Sequence, residues 1–137
     1  MKGRQVELAG SGPTVASALQ DLLSELIQAL GAGPAGAEAV DRSVKIRAEG
    51  ADLEQVVSDL IDQVAAISSD FDERPVQIIV EGYREQAGTV RAWGIAGLAG
   101  FDAGQGTLAE RAGDPVCVRD MSGCRITVPL TVTAGEV

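Results

Sequence analysis

The chain has 137 residues, which at roughly 100 to 200 residues per domain makes one domain around one hydrophobic core. Hydrophobic residues account for 45% and charged residues for 23%, which excludes a disordered acidic tail and a collagen-like fibre. With no histidine there is no imidazole for a Ser/His or Cys/His nucleophile pair or a His-based metal site, and a net charge of −9 repels phosphate backbones and anionic lipid.

From the N-terminus, Met1 to Val6 lacks an apolar signal core, and no run approaches the roughly 18 apolar residues of a membrane span. A soluble, cytoplasmic protein is expected. Gln5-Val6-Glu7-Leu8 alternates with a period of two, predicting a short strand with Val6 and Leu8 on one face. After the Gly12-Pro13 turn, Thr14 offers a side-chain oxygen to the orphan N–H groups of a first helical turn. Val15, Ala18, Leu19, Leu22, Leu23 and Leu26 then follow i, i+3, i+4, i+7 spacing, an amphipathic helix running about to Leu30. Gly31-Ala32-Gly33-Pro34 stops it, and Ala32 to Asp41 reads as a loop.

The same signals then return. Ser43-Val44-Lys45-Ile46-Arg47 alternates, Asp52-Leu53-Glu54-Gln55 approximates a capping box, and Leu53, Val56, Val57, Leu60, Ile61 and Val64 take helical spacing. The step between the copies is 38 residues, Gly12 to Gly50, and it also relates Arg4 to Arg42, Val6 to Val44, Asp21 to Asp59 and Leu22 to Leu60. Each copy is a strand, a glycine turn and a helix, and the two apolar stripes are expected to share one interior.

Strand signals follow the second helix. Val76 to Val80 and Thr89 to Ile95 read as a hairpin around a long loop, Gly82 to Gly88, and a glycine-rich connection from Gly94 to Gly106 comes next. A last pair, Pro115 to Arg119 and Cys124 to Val132, turns at Asp120-Met121-Ser122-Gly123. Pro129 has no N–H to give a ladder and belongs at an edge, a bulge or a strand end. The fold class is therefore α+β, a single two-layer domain over residues 1–137. Two amphipathic helices lie on a mixed or mainly antiparallel sheet of about six strands.

This order resembles the archease family, small proteins that assist the RNA ligase of transfer-RNA splicing. Gly12-Pro13-Thr14-Val15-Ala16-Ser17-Ala18-Leu19 stands where that family has a turn glycine followed by T-L-E-E-x-F. Glu49-Gly50-Ala51-Asp52-Leu53-Glu54-Gln55-Val56-Val57-Ser58-Asp59-Leu60 is similar to its G-x-D-L-E-E-L-L-x-x-W-L helix start, and Gly123-Cys124-Arg125-Ile126-Thr127-Val128 to its G-W-R-A-R-V strand. The metal-linked signature H-T-A-D-x-G falls on Lys2-Gly3-Arg4-Gln5-Val6-Glu7, and the acidic residue of a closing V-V-L-D-V strand falls on Thr131. Neither agrees, and the K-x-x-T-x-H stretch has no counterpart between Thr107 and Asp114. The resemblance implies a diverged member that lacks the family's metal ligands.

Other clusters read blandly. Asp70, Asp72 and Glu73 lack the spacing of a calcium loop, because Arg74-Pro75 interrupts it, and read as a solvated helix exit. The glycines from Gly94 to Gly106 match no phosphate-loop pattern, and Trp93 and Phe101 beside them are expected in the core. Arg84, Arg91, Arg119 and Arg125 read as scattered solubilising charges, and Asp21, Glu25, Glu54, Asp59 and Asp62 as a solvated acidic surface that could steer a basic partner. Cys117 and Cys124 fit no zinc or redox spacing and read as reduced, half-buried strand residues.

No catalytic, cofactor-binding or metal-ligating residue is assigned, and no cofactor. The expectation is a non-enzymatic archease-like accessory protein with a protein partner, ligase-type by the resemblance. It makes no direct contact with nucleic acid and none with membrane, and self-association is left open. The alternative is a stand-alone structural or small-ligand-binding module. A carboxylate enzyme ranks last, because no pair of carboxylates is fixed by motif on facing elements.

Overall fold

A computed structural model describes residues 4–29, 42–70, 73–100 and 107–134. The repeat read from the sequence is a repeat of structure. Strand β1 (Arg4–Gly12) leads to helix α1 (Val15–Ala29), and β2 (Arg42–Gly50) to α2 (Leu53–Asp70), so both strands and both helices begin 38 residues apart. The caps explain the identical starts. The Ser17 N–H donates to Thr14 Oγ1 at 3.1 Å while the Thr14 N–H donates to Ser17 Oγ at 3.0 Å. In the second copy the Gln55 N–H donates to Asp52 Oδ1 at 2.9 Å, and Gln55 Oε1 accepts from the Ala51 N–H at 2.9 Å. Each pair meets backbone donors that a first turn otherwise leaves open.

Strands β3 (Glu73–Gln86), β4 (Thr89–Gly100), β5 (Thr107–Arg111), β6 (Val116–Asp120) and β7 (Gly123–Ala134) complete the chain. The fold is a two-layer α+β arrangement, with both helices packed on antiparallel sheets. One sheet has the order β1-β7-β5 with β6 also on β7, and the other β2-β4-β3. The expected single sheet is thus two, with seven strands among the described residues in place of about six. The helices join them, since α1 touches β1 and β7 of one sheet and β3 of the other, and α2 touches β2 to β4 and also β5 and β6. Among the described residues no helix is long and apolar enough to cross a membrane.

One aliphatic core results. Leu19, Leu22 and Leu26 of α1, Val56, Ile61 and Val64 of α2, and Ile126, Val128 and Leu130 of β7 are all buried in it. Leu8 and Ile46 are buried from the repeated strands, with Val6 and Val44 packed beside them, as the alternation predicts. Each large aliphatic side chain buried this way contributes roughly 1.5–3 kcal/mol.

Four local expectations change. The predicted loop from Gly82 to Gly88 is mostly strand, because β3 runs to Gln86 and turns in two residues, Ala87 (φ 52°) and Gly88 (φ 78°). Two left-handed residues give the twist that matches a tight hairpin. The glycine-rich connection begins as strand, since β4 continues to Gly100, while residues 101–106 lie outside the described residues. Gly94 is there for close approach: a Cβ on it would stand 2.2 Å from the Ile79 carbonyl oxygen. Strand β5 forms although its sequence carries no clear alternation to predict it. Helix α1 is described to Ala29, so the stop at Gly31 to Pro34 and the loop to Asp41 lie outside the described residues.

Pro129 sits in the middle of β7, opposite Glu7, at the point where the strand on its other side is interrupted between β5 and β6. Its carbonyl accepts from the Ala112 N–H at 2.9 Å on that side. The amide of the same residue points the same way, so the missing donor falls in the gap and no ladder bond is lost.

Candidate functional site

Because Val6, Leu8 and Gly10 of β1 face the helices, Gln5, Glu7, Ala9 and Ser11 face outward. Gln5 stands directly opposite Thr131 across the β1–β7 pair, and on the other side Thr131 stands opposite Glu110 of β5. The two positions that the archease resemblance would equate with metal ligands are therefore neighbours in one outward row, although they lie near opposite ends of the chain. Their chemistry does not fit a divalent cation. A hard cation draws on six or more oxygens, several of them carboxylates, and this row offers an amide, a hydroxyl and one carboxylate. Among the described residues no group of three or more acidic or thiol side chains is arranged to hold a metal ion. Residues 107–111, which the missing K-x-x-T-x-H stretch overlaps, form the edge strand β5.

A second cluster bridges the two sheets. Tyr83 and Glu85 are two apart on β3 and so point the same way, and the Tyr83 O–H donates to Glu85 Oε1 at 2.5 Å. Arg119 of β6 reaches across to pair with Glu85, and its Nη2 donates to the Tyr83 oxygen at 3.2 Å. Burial of the phenol, then its bond to Glu85, pushes the Tyr83 pKa well above the usual tyrosine value. The Arg119 guanidinium, then the Tyr83 hydroxyl, holds the Glu85 carboxyl down at about 2. An open groove of about 470 Å³ adjoins the cluster, lined by Asp52, Glu54, Glu85, Cys117 and Arg119 among others. The carboxylate already has two partners, so it serves as a tie between sheets and is a poor general base.

The cysteines remain unpaired, Cys117 half-buried and Cys124 buried. Desolvation pushes the Cys117 thiol up to about 12 and also raises Cys124, so neither supplies a thiolate near neutral pH.

The structure sorts the remaining candidates. Trp93, expected in the core, stands 39% exposed on the outer face of the β2-β4-β3 sheet, whereas Phe71 and Phe101 lie outside the described residues. So do Asp72 and the side chains of Asp70 and Glu73. The four arginines are not one face: Arg84 and Arg91 are cross-strand partners, Arg119 is tied to Glu85, and Arg125 is on the other sheet. The acidic helix positions are only partly free. Asp62 receives Arg111 from β5 through two bonds, Nε to Oδ1 at 2.8 Å and Nη2 to Oδ2 at 3.2 Å, and Asp21 Oδ2 accepts from the Ser11 N–H at 3.0 Å. No motif marks Gln20, yet its amide donates to the Ile78 carbonyl at 2.7 Å and accepts from the Val80 N–H at 2.8 Å. It occupies the free edge of β3 as a neighbouring strand would.

Fold and site together define an α+β scaffold built on a duplicated strand-helix unit, with side-chain ties between its sheets. The chain matches no protein-family profile, and no curated protein shows significant similarity to it.

Proposed function

We propose that this protein is a non-enzymatic accessory factor of the archease type, a cytoplasmic protein that acts by binding another protein and has lost the family's ion site. The observation that carries this reading is the register of β1 on β7. Two positions equated by motif spacing with the family's ligands, Gln5 and Thr131, are cross-strand partners. Their neutral side chains account for the lost ion. Protonated cysteines and a carboxylate already engaged by Arg119 fit a role without covalent chemistry. By the resemblance, the partner is an RNA-ligase-type protein, and the −9 charge favours contact with protein over RNA.

The test is affinity capture from native lysate with the tagged full chain. Recovery of an RNA ligase or its processing partners supports the proposal, and recovery of the protein alone overturns it. The groove beside Tyr83, Glu85 and Arg119 favours the second reading, a small-ligand-binding module. A ligand-dependent rise in melting temperature that Arg119→Ala abolishes would establish it.

A further inference from the structure

The outer face of the β2-β4-β3 sheet is a composed surface. Across the three strands, register sets Lys45 beside Ile95 and Ile79, then Arg47 beside Trp93 and Gly82, then Glu49 beside Arg91 and Arg84. Ile79 is 48% exposed and Trp93 39% exposed, while most large apolar side chains of the two helices are buried. Gly82 makes room for the indole, since a Cβ there would stand 2.2 Å from Trp93 Cζ2. Four of the eleven basic residues surround this apolar centre on a molecule of net charge −9. Of the carboxylates there, Glu49 is held by Arg91 at 3.2 Å and Glu81 stands in the β3 bulge. A shallow groove of about 700 Å³ runs beside Trp93, with Asp59 of α2 also at its wall.

We propose that this face docks a segment of a partner protein that presents an apolar anchor flanked by carboxylates. The anchor sits against Trp93, Ile79 and Ile95, and its carboxylates meet Lys45, Arg47 and Arg84. An apolar centre with tryptophan and arginine inside a charged rim is how protein-binding hot spots are built. Area selects a segment over a second globular copy. Strands about 4.8 Å apart and rising about 3.3 Å per residue give this face a few hundred Å², well short of the roughly 800 Å² per partner of a standard interface.

Recognition runs through the face, where the apolar side chains stand; at the sheet edges glutamines already meet part of the backbone, Gln20 at Ile78 and Val80 of β3 and Gln63, whose amide donates to the Arg47 carbonyl at 2.6 Å, on β2. Nucleic acid fits less well. Single strands are held by successive stacked aromatics, and here one indole stands one row along from a cross-strand pair of isoleucines in a repulsive overall field. The proposal rests on the reading that the protein works through a protein partner and names the surface that does so.

The test screens a displayed random-peptide library against the full-length protein and follows binding of the selected peptides by the fluorescence of Trp93, the only tryptophan. Enrichment of peptides with Asp or Glu around an aliphatic or aromatic residue is expected. Binding should weaken tenfold or more in Arg47→Glu and again at raised salt, with Asp21→Asn as a folded control that binds normally. Trp93→Ala, followed by calorimetry, should also lose binding. Selected peptides without acidic residues, or binding indifferent to Arg47→Glu and Trp93→Ala, would overturn the proposal. So would oligouridine quenching Trp93 more strongly than any peptide, or concentration-dependent dimerisation that Trp93→Ala abolishes. Failure here with a ligase still captured leaves the accessory role standing on another surface, and success here without a ligase removes only the family reading.

Discussion

Gln5 and Thr131 face one another across the β1–β7 ladder, a carboxamide opposite a hydroxyl where a binder of hard cations would hold two carboxylates. The backbone on both sides is regular antiparallel strand, and the pair itself carries no charge. Glu7 and Glu110 lie on the same outward face, next to and opposite this pair.

Adding charge to this pair should therefore create an ion site. The double variant Gln5→Asp, Thr131→Asp places two carboxylates beside Glu110, and isothermal titration should show it binding Mg²⁺ or Ca²⁺ at millimolar or lower concentration while the parent shows no heat. A silent double variant would mean that the equivalence of these positions with the family's ligands is mistaken.

The tie between Tyr83, Glu85 and Arg119 gives stability a defined pH dependence. Glu85 is lowered from 4.5 to about 2, so its contribution is complete above about pH 4.5 and is lost as pH falls toward 2. Side-chain exposures of 44% and 43% for Arg119 and Glu85 let solvent screen the pair, which limits its worth to about 1 kcal/mol or less. Denaturant melts of Glu85→Gln should show that loss at pH 7 and a shallower decline than the parent between pH 4.5 and 2.

Tyr83 is the only tyrosine, so absorbance at the phenolate band reports one group. Its raised pKa means that stability from the neutral phenol is present below the ordinary tyrosine value near 10 and drains away as pH rises above it. Phenolate should appear near pH 10 in denaturant and only at higher pH, together with unfolding, in the native protein. Native titration near 10 would show that the phenol is not held as described.

Gln20 substitutes for a strand at the β3 edge. Gln20→Ala leaves a part-buried N–H at Val80 and a carbonyl at Ile78 without their partner, at a cost of about 1–3 kcal/mol, and uncovers an edge. A lower denaturant midpoint and faster light-scattering growth on warming are expected, with Gln20→Glu intermediate because it still accepts from Val80.

Gly10 separates the two copies of the repeat. A Cβ on it would stand 2.4 Å from the Leu22 amide nitrogen and 2.5 Å from the Ala18 carbonyl oxygen, backbone atoms that cannot move aside. Its counterpart 38 residues on is Ala48, buried without conflict. Gly10→Ala should cost about 1–3 kcal/mol in a chemical melt, as overfilled cores do, while Ala48→Gly should cost about 1 kcal/mol or less, mainly through strand entropy.

What the linear order of residues determined is local. Side-chain oxygens at Thr14 and Asp52, helical spacing from Val15 and from Leu53, and alternation through Val6, Leu8, Val44 and Ile46 act over a few residues, so they placed both strand-helix units and their common step. The turn at Asp120 to Gly123 was legible for the same reason, since Asp120 Oδ1 accepts from the Ser122 N–H at 2.8 Å. Glycines misled along β4, where Gly94 answers to the nearby β3 backbone and not to its own neighbours in sequence.

Tertiary structure alone decided which strands pair. It divided the strands between two sheets, turned Trp93 outward, and carried Arg119 to Glu85 and Arg111 to Asp62 from distant segments. Such contacts depend on where β7 crosses the core, and no spacing along the chain encodes that distance, because register is settled only when the aliphatic faces of both repeats are buried together.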